Sequence, residues 1–130
     1  MMCYYAHSAK EDIPPQTYSS HVNGVLKRAQ EHAKEIGGYA RLDGEPLLQA
    51  AEKIAVFHDL GKLDSENQAV LSGEELSKSL PKNHVDAGAA YFLDEKRLSP
   101  IVAAAIQAHH IGFPDFIAEQ NRGESAFRDT

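Results

Sequence analysis

The sequence is poor in cysteine, has no tryptophan, and holds no long apolar run. Cys3 is the single cysteine, so no internal disulfide can form and a reducing, cytoplasmic setting is expected. Without cysteine pairs there is no thiolate set for a structural zinc site. No apolar stretch is long enough to span a membrane. The opening "MMCYYAHSAKEDIPP" lacks the basic-then-apolar order of a secretory signal. Basic residues are outnumbered, 13 Lys and Arg against 19 Asp and Glu, for a net charge of −6. That argues against gripping nucleic acid through an extended basic surface, which relies on Lys and Arg displacing counterions. A phosphate substrate at a metal site stays open, because bound divalent cations bring their own positive charge. No segment sustains apolar–polar alternation, and nothing repeats or is low in complexity. The chain of 130 residues suits one domain, and its 42% hydrophobic content is enough for a core.

Histidine is what the sequence does have: His7, His21, His32, His58, His84, His109 and His110. Ala-rich stretches of 3.6-residue period predict an all-α fold, a compact bundle with a metal site between its helices. Residues 1–16 end in Pro14-Pro15 and read as an extended lead-in. A first helix spans Tyr18 to Ile36, capped by Thr17, with the stripe Tyr18, Val22, Val25, Ala29, Ile36 and His21 beside it. A second starts at Pro46 and carries Leu47, Ala51, Ile54 and His58 on one face, Leu48, Ala51, Ala55 and Asp59 on the next. Residues 64–82 read as a connection with one short helix. Asn83 is a candidate cap for a third long helix, "HVDAGAAYFLDEKR". Ser99-Pro100 opens the last, "IVAAAIQAHH", whose stripe runs Val102, Ile106, His109.

A lone histidine beside an apolar stripe is more often a boundary residue than a ligand, and His21 or His84 alone would be read so. His32 lies roughly 16 Å along the axis from His21, so it cannot share a site with it and reads as a core or boundary residue rather than a ligand. His7, in the extended segment, reads equally as a supporting or a surface residue. His58-Asp59 is harder to dismiss. A carboxylate on a buried face needs a partner or a metal, and a helix C-terminus disfavours negative charge. Lys62, three residues on, could offset it as a simple ion pair. Imidazoles and a carboxylate on facing helices are how a bundle builds a metal site. That donor set suits Mn, Fe, Co, Ni or Zn better than an all-oxygen cage for Mg.

The order His21, His58-Asp59, His84, His109-His110 resembles the HD-domain metal-dependent phosphohydrolases, named for the adjacent His-Asp pair. The stretches "YAHS", "HVNGVLKRA", "FHDLGKLDSENQAVL", "NHVDAGAAYF" and "AAIQAHHIGFPD" are similar to the HD nuclease domain of type I CRISPR interference, over roughly residues 4–116. The resemblance implies two divalent transition-metal ions. His21, His58 and Asp59 would hold one; Asp59, His84, His109 and His110 the other, with Asp59 shared. It implies Asp59 and Lys62 as catalytic residues, Lys62 lying near the scissile phosphate. Single-stranded DNA is the implied substrate, and a superfamily 2 helicase domain or subunit and the CRISPR surveillance complex the implied partners. The family has a further aspartate well beyond the His-His pair; Asp115 and Asp129 do not match it, so the chain is expected to be a fragment or a truncated gene. A nucleotide phosphohydrolase of the same superfamily and a non-catalytic helical docking module are the alternatives.

Overall fold

The computed structural model describes residues 2–37 and 45–109. It is mostly helical, as expected. The lead-in is not simply extended: β1 (Tyr5–His7) pairs antiparallel with β2 (Gln16–Thr17), Tyr5 opposite Thr17 and His7 opposite Gln16. At the tip, Lys10 and Ile13 exchange both backbone hydrogen bonds, at 3.0 and 2.9 Å. Glu11 turns the chain there with a φ of 52°. Pro14 and Pro15, which have no N–H to offer, separate the tip from β2.

Helix α1 (Tyr18–Gly37) follows directly. Thr17 Oγ1 accepts the Ser20 N–H at 3.2 Å, the cap expected from sequence. Its buried residue is Ala33, four residues after Ala29, whereas Ile36 stays 59% exposed. Helix α2 (Glu45–Phe57) packs along α1. Its expected first core residue, Leu47, is 42% exposed. Ile36 lies in the last turn of α1 and Leu47 in the first turn of α2.

Helix α2 does not reach Asp59. His58 N–H still bonds the Ile54 carbonyl at 2.9 Å, and then the chain tightens into a 3₁₀ turn, Leu60–Leu63. Helix α3 (Ser65–Leu71) follows, with Asp64 Oδ1 accepting the Glu66 N–H at 2.9 Å. The third long helix is shorter than its sequence suggests: α4 is Asp86–Leu93. Asn83 Oδ1 accepts from Val85 N–H (2.9 Å), a local turn that leaves His84 ahead of the helix. At the far end Asp94 adopts extended angles and accepts the Lys96 N–H on its side chain, which stops the helix before "EKR". Helix α5 (Pro100–Ala108) has Pro100 in its first turn, as expected.

The core lies between α4 and α5. Val85, Ala89, Phe92, Val102, Ala103 and Ile106 are buried, with Ile54 and Phe57 of α2 packed on them. Phe57 stacks on Tyr91 at 4.6 Å and meets Phe92 edge-on at 5.0 Å. Gly88 allows that contact, because a Cβ there would collide with the Phe57 carbonyl. The end of α2 is thereby pinned against α4 and α5, which fixes where the His58-Asp59 turn begins.

Candidate metal centre

Asp59 is 2% exposed, and its carboxylate is the hub of the site. Oδ2 lies 3.0 Å from His21 Nε2, 3.3 Å from His58 Nε2 and 2.9 Å from Lys62 Nζ. Oδ1 faces His84 Nε2 at 3.6 Å and His109 Nε2 at 3.4 Å, outside hydrogen-bond geometry. Four segments deliver these groups: α1, the turn after α2, the bend before α4, and the end of α5. The structure thus brings together five of the six expected ligands, and Lys62 with them. His110 lies outside the described residues, as does the region beyond it. His32 is exposed on α1. His7 sits edge-on against His21, ring centres 4.9 Å apart.

Two histidines are oriented by main-chain carbonyls. His58 Nδ1–H donates to Ala55 O at 2.8 Å, and His109 Nδ1–H donates to Ile106 O. A carbonyl only accepts, so Nδ1 carries the hydrogen and Nε2 is turned on the carboxylate. With the hydrogen on Nδ1, Nε2 can meet a carboxylate oxygen this closely only with a proton or another cation between them. The protonation equilibria follow. At His58 burial opposes charge, but the bond to Asp59 and its negative charge outweigh burial and raise the pKa. At Asp59 burial opposes ionisation, but His109, His58 and Lys62 outweigh it and hold the carboxyl well below the usual carboxylate range. At His21 burial wins over Asp59 and lowers the pKa. Tyr18, half-buried alongside, is pushed up to about 12 by burial and then by the Asp59 charge.

The donor set fits a metal ion. His21 Nε2, His58 Nε2 and Asp59 Oδ2 form a triangle with edges of 3.0, 3.2 and 3.3 Å. Ligands about 2.0–2.1 Å from an ion stand roughly 2.8–3.4 Å apart between the octahedral and tetrahedral limits. The triangle is therefore already a coordination face. Asp59 Oδ1, His84 and His109 form a second, looser group with all ligand atoms within 4.8 Å of one another. One carboxylate oxygen faces each group.

Sequence reading missed the residues that hold this arrangement. Asn67 is fully buried on α3. Its Nδ2 donates to the carbonyls of Gly61 (2.9 Å) and Lys82 (3.1 Å), and its Oδ1 accepts the Lys82 N–H at 2.9 Å. It thereby ties the 3₁₀ turn to the segment that delivers His84. Its neighbour Gln68 donates to the carbonyls of Tyr5 (2.8 Å) and Lys62 (2.7 Å) and accepts the Tyr5 N–H at 2.8 Å, tying β1 to the same turn. The only signal was two amides side by side just after the motif. Asn67→Ala is expected to cost about 1–3 kcal/mol, because buried backbone groups lose their partner. Urea unfolding measures it, and an unchanged midpoint would refute the role.

Among the described residues, no helix is long and apolar enough to cross a membrane. Comparison with curated proteins and with solved structures gave no match. A family model described as HD domain matches residues 18–125, a span that starts with α1 and includes all five clustered ligands. With the His58-Asp59 pair at the hub of a cluster suited to divalent ions, the chain belongs to the HD-domain family, whose chemistry is metal-dependent phosphohydrolysis.

Proposed function

We propose that this HD domain is a nuclease that hydrolyses phosphodiester bonds of single-stranded DNA in type I CRISPR interference. It would act in the cytoplasm with a superfamily 2 helicase domain or subunit and the surveillance complex. The observation that carries the hydrolytic part is the Asp59 carboxylate with one oxygen toward each histidine group. The finer reading is supported by the similarity of "YAHS", "FHDLGKLD" and "AAIQAHHIGFPD" to that nuclease domain. The net charge of −6 also suits a domain to which another component delivers the strand.

His21, His58 and Asp59 would hold one ion, and Asp59, His84 and His109 the other, with His110 a further candidate ligand. Imidazole donors favour Mn, Fe, Co or Ni over Mg. Bound ions of this kind supply Lewis acidity and a water of lowered pKa beside the scissile phosphate. The chain's own part is to fix their positions. The Ala55 and Ile106 carbonyls set the His58 and His109 rings, Asp59 stays ionised, and Lys62 offers positive charge to a phosphate oxygen.

The test is incubation of the 130-residue chain with circular single-stranded DNA and Mn, Co or Ni. Metal-dependent cleavage, abolished by chelation, is the expected outcome. Phosphate release from a nucleoside monophosphate with the DNA left intact would move the assignment to a nucleotide phosphohydrolase.

A further inference from the structure

Lys62 is in an unusual place for a residue whose partner is a substrate phosphate. Its side chain is 7% exposed, and its Nζ lies 2.9 Å from Asp59 Oδ2. That is the oxygen which also faces His21 and His58. The backbone of Lys62 is fixed as well: its N–H donates to the Asp59 carbonyl at 2.9 Å and its carbonyl accepts from Gln68. The ammonium charge reaches the rings around it, opposing protonation of His7, His21 and His58. The ammonium therefore stands at the same carboxylate oxygen that closes the tight triangle of ligand atoms.

A carboxylate oxygen has about two lone-pair directions, and Oδ2 already has three groups within 3.3 Å. An ion joining Oδ2 to both histidines cannot leave a second cation on that oxygen undisturbed. Like charges this close in a buried site repel strongly. Without any cation there, however, the ionised Asp59 would be buried uncompensated.

The geometry points to a second role for Lys62: its ammonium is a built-in placeholder that neutralises Asp59 before a divalent ion arrives, competes with that ion, and is released toward solvent when it binds. The inference rests on the two-ion reading above. It adds that metal loading itself makes the lysine available to a phosphate. The ammonium stabilises the metal-free fold and weakens the first ion's binding, two effects of opposite sign.

Lys62→Met separates the possibilities. Calorimetric titration with Mn should show the tighter of the two sites binding about tenfold more strongly than in the wild type, while the metal-free protein melts at a lower temperature. A lysine that is only structural would weaken both. One that acts only on the phosphate would leave the Mn affinity unchanged. Either result overturns the placeholder role. The wild-type protein provides a test that does not depend on the variant folding. With an amine-acetylating reagent and peptide mass mapping, Lys62 should be protected without metal and modified with Mn, the exposed Lys27 serving as reference. Equal modification in both states overturns the inference. Failure of the wild type to take up Mn in equilibrium dialysis would instead refute the metal centre itself.

Discussion

Asp59→Asn should leave a chain that takes up neither ion. The substitution keeps the volume and removes the charge on which both groups converge, His21 and His58 at one oxygen, His84 and His109 at the other. Metal analysis after dialysis against Mn should fall from two ions per chain to none, and hydrolysis by more than about 10³-fold. The stability effect is equally large. Lys62 would lose the counter-charge it is buried against, and breaking a buried pair by removing one partner costs about 3–5 kcal/mol. Domains of this size have about 5–15 kcal/mol in all, so the metal-free variant should melt far below the wild type. A variant that kept two ions per chain would show that Asp59 is not the shared ligand.

Gly61→Ala tests the other half of the geometry. The glycine packs directly on the backbone of the loop that delivers His84. Its N–H donates to the His84 carbonyl at 3.1 Å. A Cβ at this position would lie 2.5, 2.6 and 2.8 Å from the Cα, carbonyl oxygen and carbonyl carbon of His84. No side-chain rotation relieves contact with backbone, so the two segments must part. Overpacking of this kind costs about 1–3 kcal/mol, and the upper end is expected here. The second ligand group should be lost and the first kept, giving about one Mn per chain where Asp59→Asn gives none. Gly24→Ala is the control, since nothing lies within 4 Å of the added carbon. Wild-type stoichiometry in Gly61→Ala would refute the requirement for this close approach.

Local signals were legible wherever a local interaction decides. Thr17 caps α1 and Pro100 starts α5 because each acts within its own turn. The inward direction of His58 and Asp59 was readable for the same reason, since Ile54 and Ala55 carry the phase of α2 up to them. What could not be read depends on partners distant in the chain. Periodicity ran the second helix through Asp59 and began the third at His84, yet both are held in irregular backbone by the Gly61–His84 approach and by Asn67. Those two contacts cross 23 and 6 residues and leave no periodic trace. The hairpin was missed because its pairing is short, three residues against two, and Pro14-Pro15 stand directly before β2. Ile36 and Leu47 have the right phase but lie at helix ends, where phase does not ensure burial.

The pair of hydrogen bonds between Gln68 and Tyr5 also bears on how the chain is made. The two residues are 63 positions apart. On a ribosome adding about 5–20 residues per second, Tyr5 is made roughly 3–13 s before its partner exists. During that interval the N-terminal hairpin has no α3 to dock on, and the histidine it brings toward the metal centre waits unplaced. Strand β1 is thus made well before the helix that secures it.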